Sequence, residues 1–141
     1  MEERARWSSL ARSGYGLSPA RKIYHVLVFY PISHTALRVS YQGNVLVYSN
    51  RKCNRWYIKF NDNECSGPLP IESVVYNYWP GGVAENYRNH FFEGFCENLA
   101  RGTVSVELWV GKCSGYSTQG NAYTGWNSVS RIMIEEVPPS Q

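Results

Sequence analysis

The residues most able to do chemistry in this chain are three histidines, four cysteines and a small set of carboxylates that includes a single aspartate, Asp62. His90 and Glu93 stand three positions apart, and a strand puts such a pair on opposite faces, so they form no acid–base couple. No GxSxG elbow, HExxH helix or phosphate loop occurs. Gly14-Tyr15-Gly16 reads as a turn, and His25 and His34 as structural side chains. One aspartate without an acidic cluster offers no dedicated calcium cage. These patterns predict a protein without catalytic residues, metal or cofactor. Cys53, Cys65, Cys96 and Cys113 contain no CxxC or CxH pair, which argues against a zinc ribbon or a redox motif. An even number in a small aromatic chain favours two disulfides in an oxidising compartment, with buried free thiols as the alternative.

Charge and aromatic residues define the candidate binding chemistry. Net charge is +3, but residues 1–60 carry ten Lys/Arg against Glu2 and Glu3, whereas residues 61–141 carry four against nine acids. The cluster Arg51-Lys52-Cys53-Asn54-Arg55 could attract a glycosaminoglycan or an acidic protein, or simply be a solvated strand end. No helical basic stripe or nucleic-acid module is present, so nucleic acid is not an expected partner. Aromatic residues make up 15% of the chain. Tyr78 and Trp79 beside Pro80-Gly81-Gly82, and Tyr116 and Tyr123 flanking a long loop, are placed to stack on sugars.

The elements that must position these groups are strands. Residues 1–20 read as a flexible arm, 21–137 as one β-sandwich domain and 138–141 as a disordered tail. Period-two patterns fill the centre. They mark Ile23 to Tyr30, Ala36 to Tyr41, Val45 to Ser49 after a Gly43-Asn44 turn, Arg55 to Phe60, Ile71 to Tyr78, His90 to Cys96, Thr103 to Val110 and Trp126 to Val137. In Thr103 to Val110, Val104, Val106, Leu108 and Val110 alternate with Thr103, Ser105, Glu107 and Trp109. Eight or nine short strands predict an all-β antiparallel β-sandwich of jelly-roll type. The apolar run 23–32 is too short to cross a bilayer, so no membrane insertion is expected. Met1-Glu2-Glu3 is the wrong charge for a signal peptide, so a secreted protein would contain this chain as a processed piece. There is no Gly-X-Y tract.

Several unbroken runs resemble the C-terminal domain of collagen triple helix repeat-containing proteins. The clearest are Asn63-Glu64-Cys65-Ser66-Gly67-Pro68-Leu69-Pro70-Ile71-Glu72 and Thr124-Gly125-Trp126-Asn127-Ser128-Val129-Ser130-Arg131-Ile132. Trp7-Ser8-Ser9-Leu10, Ala36-Leu37-Arg38-Val39, Arg55-Trp56-Tyr57 and Leu108-Trp109-Val110-Gly111 follow in the family's order. The resemblance implies a secreted, extracellular-matrix head similar to the trimeric heads of the complement and tumour-necrosis-factor families. It also implies a homotrimer, with cell-surface receptor and Wnt-type protein partners. Cysteines that the vertebrate relative carries near the start of the domain and beside Cys53 are missing, so interchain disulfides do not carry over, and no Asn-x-Ser/Thr sequon exists. If the implied jelly-roll order holds, Arg55–Phe60 lies antiparallel to Thr103–Val110, which favours Cys53–Cys113 and Cys65–Cys96 over the other two connectivities. Tyr57 and Trp109, opposite the core-facing residues of those strands, are the candidate oligomer contacts. Two other readings stand beside this one: a lectin-like carbohydrate-binding module, and a purely structural trimerisation unit for a collagen stem.

Overall fold

A computed structural model describes residues 7–8, 20–30, 35–81 and 86–138. Among these residues ten strands occur in chain order: β1 Trp7–Ser8, β2 Arg21–Tyr30, β3 Ala36–Val47, β4 Lys52–Phe60, β5 Asn63–Glu64, β6 Glu72–Asn77, β7 Arg88–Cys96, β8 Gly102–Lys112, β9 Ala122–Thr124 and β10 Ser130–Val137. They form two antiparallel sheets. Sheet A runs β1-β10-β3-β7, with β9 also on β3; sheet B runs β2-β8-β4, with β5 and β6 both on β4. The fold is an all-β sandwich, as the strand patterning predicts.

Alternation explains the layering, because successive side chains of a strand point to opposite faces. From sheet B, Val28, Tyr30, Trp56, Ile58, Phe60, Val104, Val106, Leu108 and Val110 point inward. From sheet A they meet Leu37, Val39, Tyr41, Val45, Val47, Ile132 and Ile134. Trp56 Nε1 donates across the core to Thr124 Oγ1 at 2.9 Å, so the largest buried side chain brings its one polar atom to a partner in the other sheet.

Three local expectations are corrected. Gly43-Asn44 is not a turn: β3 runs straight through it, with Gly43 opposite His90. A side chain at Gly43 would meet Ser130 Oγ at 2.3 Å and the Tyr41 hydroxyl at 2.6 Å, so glycine serves close approach here, not reversal. Residues 126–128 are turn rather than strand, since Gly125 (φ 71) and Asn127 (φ 54) are left-handed and β10 begins only at Ser130. Ala122–Thr124, on the far side of that turn, pairs with β3 instead. Trp7–Ser8, assigned to the arm by composition, forms β1 on β10, where an edge strand leaves backbone groups to be paired.

The Asn61-Asp62 turn has both residues at positive φ, 49° and 66°, and returns the chain from β4 into β5. That is the chemistry two-residue hairpins select. The remainder of the expected arm up to residue 19, including Gly14-Tyr15-Gly16, lies outside the described residues. So do His34, Gly82 and positions 139–141.

Candidate functional site

The disulfides frame the domain. Register pairs Asn54 of β4 with Lys112 of β8, which brings Cys53 beside Cys113 just past the strand end. The two are bonded, with Cα atoms 5.5 Å apart, and Cys113 N donates to Cys53 O at 3.3 Å. At the opposite end Cys65, just after β5, is bonded to Cys96 at the end of β7, with Cα atoms 5.8 Å apart. The first bridge ties strands of one sheet; the second joins the two sheets. Both pairings are those favoured from the implied strand order.

The outer face of sheet B carries Tyr57 and Trp109, which are direct cross-strand neighbours. Lys59 Nζ lies 3.9 Å from the Trp109 ring centre, and the Arg55 guanidinium 4.2 Å from that of Tyr57. Cations over aromatic faces are attracted by the ring quadrupole and cover it from water. Tyr57 is consequently only 6% exposed within a single chain, and its ring is covered by its own neighbours rather than free for another subunit. Trp109 is half-buried and donates from Nε1 to Glu107 Oε1 at 2.9 Å. Glu107, 2% exposed, also accepts from Ser105 Oγ at 3.0 Å and pairs with Lys22 at 3.4 Å. Burial alone would push this carboxyl up. The Trp109 and Ser105 hydrogen bonds and the Lys22 ammonium outweigh it and hold Glu107 below the usual carboxylate range.

The three side chains of the basic cluster have separate partners. Arg55 forks onto Glu64 and also bonds Glu72, so its charge is balanced within the face. Lys52 Nζ donates to Thr118 Oγ1 at 2.7 Å, anchoring the loop after Cys113. Arg51, in the turn before β4, lies over the Tyr78 ring at 5.6 Å. Asn54, fully buried, holds the same loop by donating to Gly120 O at 3.1 Å and accepting from Gly120 N at 2.7 Å.

The four aromatics singled out for sugar stacking divide by position. Tyr116 packs against Tyr76 and Tyr123 against Tyr48, with ring centres 6.3 and 6.4 Å apart. Tyr78 and Trp79 instead line a cleft of about 440 Å³ between the β6 edge of sheet B and β3 and β7 of sheet A. Val47, Val75, Arg88 and His90 also line it. Asn50 fixes its rim by donating to Trp79 O and accepting from Trp79 N, both at 2.9 Å. Burial, helped by the nearby Arg88 charge, pushes the His90 imidazole down and favours its neutral form.

The outer face of sheet A was not singled out by the sequence. There Phe91 is 59%, Met133 52% and Phe95 46% exposed, around Arg38, which pairs with Glu93 at 3.1 Å and Glu135 at 3.5 Å. The signal was present in β7, where Phe91 and Phe95 occupy the face opposite Phe92 and Cys96: an apolar strand with two faces. Glu93 belongs to this outer face and His90 to the cleft side, in keeping with the strand spacing. His25 is exposed on sheet B opposite Glu107. Among the described residues no group of three or more His, Cys, Asp or Glu is placed to hold a metal ion.

One comparison with known proteins bears on this arrangement. The sequence model of a protein family described as CTHRC1, C-terminal domain, matches residues 5–134. The matched span includes every strand from β1 to β9 and both disulfides, and ends inside β10.

Proposed function

The chain belongs to the CTHRC1 C-terminal domain family, a collagen-associated extracellular domain, and from that premise we propose that it is a secreted head that forms homotrimers and binds protein partners in matrix and Wnt-type cell-surface signalling, without catalysis. The observation that carries self-association is the outer face of sheet A. Phe91, Phe95 and Met133 are large apolar side chains left exposed on a sheet face where alternation ordinarily places polar ones. Residues of these types are enriched at interface cores, and a central Arg38 already paired with Glu93 and Glu135 presents no unbalanced charge to a neighbour. Identical subunits ordinarily assemble with closed symmetry, and threefold symmetry is the one that suits a collagen stem. The sheet orders β1-β10-β3-β7 and β2-β8-β4-β6 support the jelly-roll reading on which the likeness to trimeric heads rests.

The non-enzymatic reading is supported by where the titratable groups sit. Glu107 is saturated by its own hydrogen bonds and Tyr41 is sealed in the core, so neither joins a nucleophile to a base. Sedimentation equilibrium on the full chain tests the oligomer. A trimer that dissociates in Phe91→Glu/Phe95→Glu, with an unchanged circular-dichroism spectrum, is expected. Wild-type protein that stays monomeric at its highest soluble concentration overturns it. Absence of binding to Wnt-type ligands and their receptor ectodomains on a sensor surface would remove the signalling part.

A further inference from the structure

We propose that the cleft between β6, β3 and β7 is a binding site for a carboxylate-bearing saccharide, recognised by Trp79 and Tyr78 on the sugar ring and by Arg88 on its carboxylate. The inference is independent of trimer formation and uses none of the residues on the outer face of sheet A.

Size comes first. A volume of about 440 Å³ falls within the range of small-molecule pockets and exceeds one sugar residue. The lining has the composition of such pockets: valines from β3 and β6 supply apolar surface, with a few polar groups among them. Trp79 is 47% exposed, presenting an amphipathic ring at the mouth, and its indole N–H has no partner among the described residues.

Charge then selects the ligand. No described residue lining the cleft is a carboxylate, while Arg88 and His90 are both there. Arg88 has no ion-pair partner among the described residues, and neither has Arg51, which sits over Tyr78 at the rim. This contrasts with Arg55, whose fork is filled by Glu64 and Glu72. An open guanidinium matches a carboxylate in two parallel hydrogen bonds. The His90 imidazole beside it offers a ring nitrogen to a hydroxyl. The walls are fixed before any ligand arrives: Asn50 clamps Trp79, Asn77 Nδ2 donates to Val47 O at 2.8 Å, and Arg51 N donates to Asn77 O at 2.7 Å. Preorganisation of this kind lowers the ordering cost of binding.

The carboxylate could come from a uronate within a polysaccharide or from a terminal acidic sugar on a glycoprotein. Titration of the full chain with a hyaluronan tetrasaccharide and, separately, 3′-sialyllactose, followed by tryptophan fluorescence and ligand-observed NMR, distinguishes them. Binding of at least one is expected, and which one binds identifies the source. Affinity is expected to fall by about tenfold or more in Arg88→Gln and in Trp79→Ala. It should not change in Arg101→Gln, an exposed cation between β7 and β8 that does not line the cleft. Three results overturn the proposal: neither acidic probe binds, neutral lactose binds equally well, or both cleft variants retain wild-type affinity with their melting temperatures unchanged.

Discussion

Replacing Cys53 and Cys113 together by alanine is expected to cost about 3.7 kcal/mol of stability, and replacing Cys65 and Cys96 about 3.1 kcal/mol. Taken singly, a bridge across 60 positions restricts the unfolded chain by about 4.3 kcal/mol and one across 31 by about 3.7. The two loops are nested, since Cys65 and Cys96 both lie between Cys53 and Cys113. With the inner bridge closed, the outer one joins ends separated by only 12 positions on one side and 17 on the other. Its marginal contribution therefore falls to that of a loop of roughly 30 residues. Closing the thermodynamic cycle leaves the inner bridge about 3.1 kcal/mol on top of the outer. Losing both costs about 7.4 kcal/mol, more than the two single losses added, and comparable to the whole stability of an ordinary domain. Urea unfolding in non-reducing buffer, followed by tryptophan fluorescence and circular dichroism, measures each difference by linear extrapolation. A single loss below about 1 kcal/mol, or a double loss smaller than the sum of the singles, would refute the nested-loop reasoning.

Other consequences follow from single side chains. Glu107→Gln should destabilise the protein by about 1 to 3 kcal/mol at neutral pH, because a charged acceptor serving Trp109, Ser105 and Lys22 is replaced by an amide. The stabilisation from Glu107 is present above the unfolded carboxyl pKa and is lost as pH falls through its depressed folded value, so melting curves of variant and wild type should converge in acid. Tyr41 behaves oppositely. Burial raises its hydroxyl to about 12, against a modest lowering by Ser130. Stability from keeping it neutral is intact below pH 10 and is lost between 10 and about 12, a decline that Tyr41→Phe should flatten in thermal melts. Gly43→Ala would place a methyl against Ser130 and Tyr41, and is expected to lower stability by about 1 to 3 kcal/mol in the same urea assay. A neutral Gly43→Ala would show that β3 and β10 separate easily at that point.

The interior of the sandwich was legible because burial on one face writes a period of two. Val104 to Val110 and Trp56 to Phe60 announce their faces without help from the rest of the chain. What escaped was set by tertiary context. Gly43 reads as a turn until Ser130 is known to lie against it. Ala122–Thr124 is too short for any period, and becomes a strand only because β3 has a free stretch beside it. The candidate sites fared unevenly for a related reason. Tyr78 and Trp79 were recognised by type and do line a cleft, but Arg88 and His90 enter it from a strand on the other sheet. Arg51, Lys52 and Arg55 look like one cluster in sequence. Their partners, Tyr78, Thr118 and the pair Glu64 and Glu72, are distant along the chain and pull them apart.

The two hydrogen bonds between the Asn54 side chain and the backbone of Gly120 bear on how the molecule opens. Gly120 lies in a loop with no ladder of its own, and a loop amide ordinarily exchanges its hydrogen within the time of local fluctuations. Here the donor is buried and its acceptor is fixed to β4, one residue from a disulfide. Exposing that amide requires breaking its bond to a side chain rooted in a central strand of sheet B. The Gly120 hydrogen should therefore exchange as slowly as those of the central strands, so that this loop opens with sheet B rather than ahead of it.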